Sequence, residues 1–351
     1  MLIPSANLLE GRGTSRRDLL RSLAAAGAAA LIGSETSSAQ TKYNAIDVHQ
    51  HYQAPFAGEG GRWTPEIALG IMDQNDIMTT IISGGNYGGL VYGGDEKSRT
   101  MARRMNDYAA KICSDHPKRF GFFAVIPFPD TDASLKEIEY SFDTLKADGF
   151  GLLSSIGDTW PGDKKFWPVF EELNRRKAVG FLHPYVPKCC RQLIEDGEAS
   201  VERDFDTTRA VTNMLYQGQL AAMPDIRYII NHSGAAIPAM AGRIKDRMPG
   251  ASSYGAKPQT DGITPKSPKG VFYELQKLYY EVAHAAYDAP MAALMKFAPP
   301  SQYLFGTDFP AEHPRNEQLE LRKRDLPPDL LKALYRGNAE RLFPRWKGVV
   351  A

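Results

Sequence analysis

Short apolar, β-branched stretches alternate with longer amphipathic ones from residue 44 to about residue 343. That rhythm predicts strands joined by helices, and therefore a parallel sheet. Eight strands are readable, over residues 44–50, 78–83, 120–126, 151–155, 179–183, 227–232, 278–283 and 303–308. Helical patterns cover 133–147, 165–177 and 207–223, and Pro327-Pro328-Asp329 opens a closing helix that ends near Phe343. Eight strands in an α/β chain predict closure into a (β/α)8 TIM barrel. A doubly wound open sheet is the alternative, but the Gly-rich strand-to-helix turn of dinucleotide-binding folds is missing. Two stretches break the rhythm: residues 84–89 with Gly93-Gly94, and the Gly-, Ser- and Pro-rich residues 249–268. Both read as loops on or near the C-terminal face, where a barrel builds its site.

The first residues follow another pattern. Ser15-Arg16-Arg17-Asp18 precedes the short apolar run of residues 23–32, and Ser37-Ser38-Ala39 ends a small-residue stretch. A charged segment, a short apolar core and a small-residue cleavage site predict a signal peptide over residues 1–39, cut near Ala39. Paired arginines assign it to the twin-arginine translocase, with a periplasmic or exported enzyme as the product. The run is too short for a membrane anchor, which needs roughly 20 residues. Residues 40–351 then form one catalytic domain.

Charge is nearly balanced, 42 basic against 41 acidic residues. Nucleic acid and anionic membrane are therefore poor partners, and a small molecule is the better ligand. Cys113, Cys189 and Cys190 fit no zinc spacing, and the adjacent pair bridges only through a strained ring, so all three read as structural.

The chemistry lies at the strand ends. In Asp47-Val48-His49-Gln50-His51, strand alternation puts Asp47, His49 and His51 on one face. His183 ends the fifth strand, His232 the sixth and Asp308 the eighth, so a barrel gathers them at its C-terminal rim. His116 and His313 read as peripheral. His284, after strand seven, either lines the pocket or is ordinary surface.

These residues carry a resemblance. Asp47-Val48-His49-Gln50-His51, Leu182-His183-Pro184, Asn231-His232-Ser233-Gly234 and Phe305-Gly306-Thr307-Asp308-Phe309-Pro310 resemble the signature set of the amidohydrolase superfamily. More narrowly, they are similar to the metal-dependent decarboxylases related to aminocarboxymuconate semialdehyde decarboxylase. Asp158-Thr159-Trp160-Pro161-Gly162-Asp163 and Asn338-Ala339-Glu340-Arg341-Leu342-Phe343 resemble the 6-methylsalicylate decarboxylase-like members. The resemblance implies a barrel of the metal-dependent hydrolase type. It also implies one divalent ion, zinc first and manganese second, held by His49, His51, His183 and Asp308. His232 would be the catalytic imidazole beside a metal-bound water, whose pKa the metal lowers toward about 7. Strand four lacks the lysine that bridges two metals in other members, which argues for one ion. Strand seven has Glu281 and His284 where the branch commonly has Asp.

The implied reaction is non-oxidative decarboxylation of a small aromatic or unsaturated acid, with Asp308 or the His232–water pair protonating the ring carbon. Trp63, Trp160, Tyr185 and Phe309 are candidates to sandwich a planar substrate, His284 to line its pocket, and Arg62 to pair with its carboxylate. Hydrolysis of a lactone or amide on the same ion is the alternative. A non-catalytic exported binding protein is the remote one, and metal content discriminates it. A homodimer is an expectation by resemblance.

Overall fold

A computed structural model of the chain describes residues 42–58, 61–85, 87–190, 200–251 and 261–349. The leader and its cleavage site lie outside the described residues, as do residues 252–260 of the second loop.

Eight parallel strands follow in sequence order: β1 Ala45–His51, β2 Ile77–Ser83, β3 Phe120–Val125, β4 Gly149–Leu153, β5 Val179–His183, β6 Arg227–Ile230, β7 Tyr279–Glu281 and β8 Tyr303–Leu304. The barrel closes through residues 305–309, which run on from β8 beside β1. Val48 N–H donates to Phe305 O at 3.0 Å, Asp308 N–H to His49 O at 2.7 Å and His51 N–H to Phe309 O at 2.8 Å. Regular β8 is thus shorter than the 303–308 reading, but the chain still seals the barrel to Phe309.

Around the barrel run α1 Pro65–Gln74, α2 Glu96–Asp115, α3 Thr131–Glu139, α4 Trp167–Arg175, α5 Glu202–Gln217, α6 Ile237–Asp246, α7 Asp288–Phe297 and α8 Pro314–Lys323. Asp130 caps α3, accepting from Ala133 N–H, so this helix begins before residue 133 and ends in a π turn over Tyr140–Thr144. The helix read over 207–223 begins at Glu202 and stops at Gly218, whose φ of 83° is the left-handed terminator of a helix. Within the Gly-rich stretch after β2, Gly88–Val91 forms a short helix.

Interior side chains alternate as a barrel requires. Ile46, Val48, Ile81, Phe123, Val179, Phe181, Ile229 and Leu304 fill the lumen, plugged by Leu342, Phe343 and Trp346 of the C-terminal segment. Outward residues pack against the helices in a second, larger core. The lumen is therefore solid below, and the site is confined to the C-terminal rim.

Asp47 departs from its expected place. Between Asp47, paired with Thr80, and Gln50, paired with Ile82, β1 carries one residue more than β2. This register shift separates Asp47 from the two histidines. The Asp47 carboxylate accepts instead from Thr307 Oγ1 at 2.7 Å and His49 N–H at 3.0 Å. It ties β1 to the chain after β8.

Candidate active site

His49 ends up buried among polar groups. Its Nδ1 lies 3.0 Å from Glu281 Oε1 on β7, while its Nε2 lies 3.1 Å from His51 Nε2 and 3.2 Å from Asp308 Oδ1. His51 Nδ1 lies 2.9 Å from Ser83 Oγ, and His51 Nε2 is 2.9 Å from Asp308 Oδ1. Glu281 and Ser83 accept from the two Nδ1–H groups, and this assigns the lone pair to Nε2 on both rings. Two lone pairs and a carboxylate oxygen then converge on one another. Such an arrangement is repulsive unless a positive charge lies between them.

His183, at the end of β5, completes the group. Its ring sits 4.4 Å from that of His51 and 5.4 Å from that of His49, and its buried Nδ1 has no hydrogen-bond partner. Ligand atoms of His49, His51, His183 and Asp308 all lie within 4.8 Å of one another. Three imidazoles and one carboxylate at this spacing fit a single divalent ion. The electrostatics agree. Burial opposes a charge on His49, but the Asp308 and Glu281 carboxylates override it and push its pKa up to about 10. The site draws in positive charge.

His232 approaches from the other side. The chain leaves β6 through two left-handed residues, His232 (φ 49°) and Ser233 (φ 54°), which turn the imidazole back over the barrel. Its backbone N–H donates to Glu281 Oε1 at 2.7 Å, and its Nδ1 lies 2.7 Å from Asp204 Oδ1 on α5. Nε2 is buried without a hydrogen bond, 3.9 Å from Asp308 Oδ2. Burial works against protonation, yet the hydrogen bond to Asp204 and the facing Asp308 carboxylate lift His232 to about 9. His284 Nε2 lies 3.0 Å from the same Asp308 Oδ2, and its backbone N–H donates to buried Glu317 Oε1 on α8 at 2.9 Å. Burial alone would raise the Asp308 pKa, but His49, His232 and His284 hold it well below the usual carboxylate range. Asp308 is therefore ionised, with Oδ1 facing His49 and His51 and Oδ2 facing His232 and His284.

The structure thus brings together His49, His51, His183, His232, His284 and Asp308. The proposed substrate-contact residues divide. Phe309 is buried at the seam with β1, and Tyr185 is half-buried over Gly88, where an added Cβ would come within 3.2 Å of its ring. Trp63 is not a rim residue: its indole N–H donates to Gln50 Oε1, and its ring packs on Tyr52 and Phe120 in the outer core. Trp160 donates its indole N–H to Asp206 at 2.8 Å and faces a groove outside the barrel. Arg62 is exposed, with its backbone N–H on Gln53 Oε1, and is corrected to a surface residue. His116 caps the C-terminal end of α2 and His313 the N-terminal end of α8.

Glu281 was visible in the sequence as a lone acid in the apolar seventh strand, but its support of His49 and His232 was not. Ser83 and Asp204 escaped the sequence reading, because a serine ending a strand and an acid in a charged helix are common.

A sequence model of the amidohydrolase family matches residues 46–345. The chain belongs to the amidohydrolase family. Among relatives of this amidohydrolase, the 6-methylsalicylic acid decarboxylase of Penicillium expansum is 32% identical over 327 residues, covering 87% of this chain and 98% of that protein. Decarboxylase yanB of Aspergillus niger is 31% identical over 333 residues, covering 86% and 88%. The amidohydrolase fold also matches a dihydroxybenzoic acid decarboxylase from a Polaromonas species, solved with bound manganese and 2-nitroresorcinol. That match has a TM-score of 0.72 and 20% identity over 86% of this chain and 96% of that one.

Proposed function

We propose that this amidohydrolase is a metal-dependent, non-oxidative decarboxylase of a small aromatic acid, of the salicylate type. One observation carries the reading: Asp308 presents one oxygen to a cluster of metal-competent imidazoles and the other to two further histidines. An ion site and a proton source therefore share one carboxylate. The relatives, named decarboxylases at more than 30% identity over most of the chain, support the same chemistry.

His49, His51, His183 and Asp308 would hold the ion. Nitrogen-rich, tetrahedrally sized donor sets favour zinc, with manganese the alternative. When bound, the ion would neutralise charge on the substrate's carboxylate and neighbouring hydroxyl oxygens. Everything else falls to the protein. Asp204 fixes His232 through Nδ1, so that Nε2 carries the mobile proton. Asp308 Oδ2, between His232 and His284, hands that proton to the ring carbon bearing the carboxylate. The bond to the carboxylate carbon then breaks, its electron pair restores the aromatic ring, and carbon dioxide leaves. The balance is one proton taken up for each carboxylate lost. Tyr185 and Phe309, after β5 and at the β8 seam, would flank the planar ring.

The test is turnover by the full chain reconstituted with zinc or manganese. Carbon dioxide release from 6-methylsalicylate, salicylate or 2,6-dihydroxybenzoate is the expected result. Lactone hydrolysis with no carbon dioxide from any aromatic acid would overturn it. The paired arginines of the leader support a second proposal, export by the twin-arginine route. Replacing Arg16 and Arg17 by Lys should retain the protein in the cytoplasm, and an unchanged periplasmic fraction would refute this.

A further inference from the structure

Outside the barrel, α5 and α6 lie side by side and leave a groove of about 640 Å³ between them. Phe205, Arg209 and Tyr216 come from one face of α5, Met240 and Arg243 from one face of α6, and Arg247 from the cap at its C-terminal end. Trp160 closes one end and Lys266 reaches in from the segment before β7. The volume falls in the range of small-molecule sites.

The charge of this groove is one-sided. Among the described residues its lining carries four cations and no carboxylate. Arg209 is the best countered of the four, yet Glu202 Oε2 stands 3.9 Å from its Nη2 and Asp206 Oδ1 4.0 Å from its Nη1, beyond hydrogen-bonding reach. Both Asp206 oxygens are already engaged, one by Trp160 and one by Ser154 Oγ at 2.6 Å. Arg209 Nη1 is sealed from solvent with no hydrogen-bond acceptor. The Arg209 side chain is nevertheless 40% exposed, so the rest of its guanidinium fork is open to an acceptor in the groove. Arg243 and Arg247 show no ion pair among the described residues. Guanidinium forks match a planar carboxylate, and the aromatic walls match a planar ring.

We propose that this groove is a second binding site, separate from the histidine cluster, for an aromatic carboxylate. It is wired to the active-site rim. Trp160 bonds Asp206, Asp206 bonds Ser154 after β4, and Ser154 Oγ accepts from Tyr185 N–H at 2.7 Å, two residues past His183. A ligand lying against Trp160 therefore touches the first member of a hydrogen-bonded chain that ends beside a residue of the metal-competent group.

The groove does not depend on the decarboxylase reading, and its test separates the two. Salicylate is titrated calorimetrically into the full chain and into R243E/R247E, whose substituted positions are exposed and remote from the histidines. The double variant should lose one equivalent of bound salicylate, or bind it at least tenfold more weakly, with metal content unchanged. R243Q/R247Q, which removes charge without reversing it, should show the same loss if the reversed variant misfolds. Equal stoichiometry and affinity in the wild type and the Gln variant would overturn the proposal, whatever the enzyme turns over.

Discussion

Asp308 divides its two oxygens between two tasks, and Glu281 holds both parties to it. Glu281 Oε1 takes His49 Nδ1–H and the His232 backbone N–H together, so a single buried carboxylate sets the tautomer of one ring and the placement of the other. Such supporting contacts tune metal affinity by about 10- to 100-fold. Glu281→Gln should weaken metal binding by that factor, read by competition with a chelator. An unchanged affinity would remove Glu281 from the account. Asp204 acts on the proton instead. Its hydrogen bond helps raise the His232 pKa above the ordinary value, so His232 keeps its proton at neutral pH and loses it only on the alkaline side. Asp204→Asn should move the alkaline limb of the kcat profile to lower pH with metal content unaltered. The histidines and Asp308 were legible because strand ends in a barrel converge. Asp204 was not, since its relation to His232 depends on how α5 docks, which no local pattern encodes.

At the level of elements, two backbone departures shape the site. The register shift in β1 takes Asp47 out of the cluster while leaving His49 and His51 in it. Past β6, positive φ at His232 and Ser233 swings the chain back over the lumen. Strand alternation alone could not foresee the first, because a single extra residue inverts parity without changing composition. It did locate β5 at its observed bounds, since Val179–His183 is an apolar run that ends in a polar residue. Close approach matters at Gly306, where an added Cβ would collide with the Glu281 carboxylate and lie 3.0 Å from His49 Cβ. Gly306→Ala should lower both metal occupancy and melting temperature. Gly70→Ala, inside α1 with open space around it, should stabilise the protein by about 0.5–1 kcal/mol, measured by urea unfolding.

For the whole molecule, the lumen filled by Phe123, Phe181 and Phe343 makes the barrel a rigid frame with one functional end. The alternation of eight strands with helices made that architecture readable, whereas the groove between α5 and α6 depends on the packing of two surfaces and left no sequence signature. An ion bound only by the folded frame adds stability by mass action, about 2.7 kcal/mol at a hundredfold excess over its Kd. Stripping the metal should therefore lower the melting temperature, and restoring zinc or manganese should recover it; a melting curve indifferent to metal would count against the four-residue site. The most direct test is turnover of 6-methylsalicylate by the metal-loaded enzyme in deuterium oxide, followed by proton NMR. Protonation of the ring carbon by the His232–Asp308 pair predicts one deuterium at the vacated position for each carbon dioxide released, with Asp308→Asn abolishing both. Intact acid with no ring deuterium, beside turnover of a lactone by the same preparation, would contradict it.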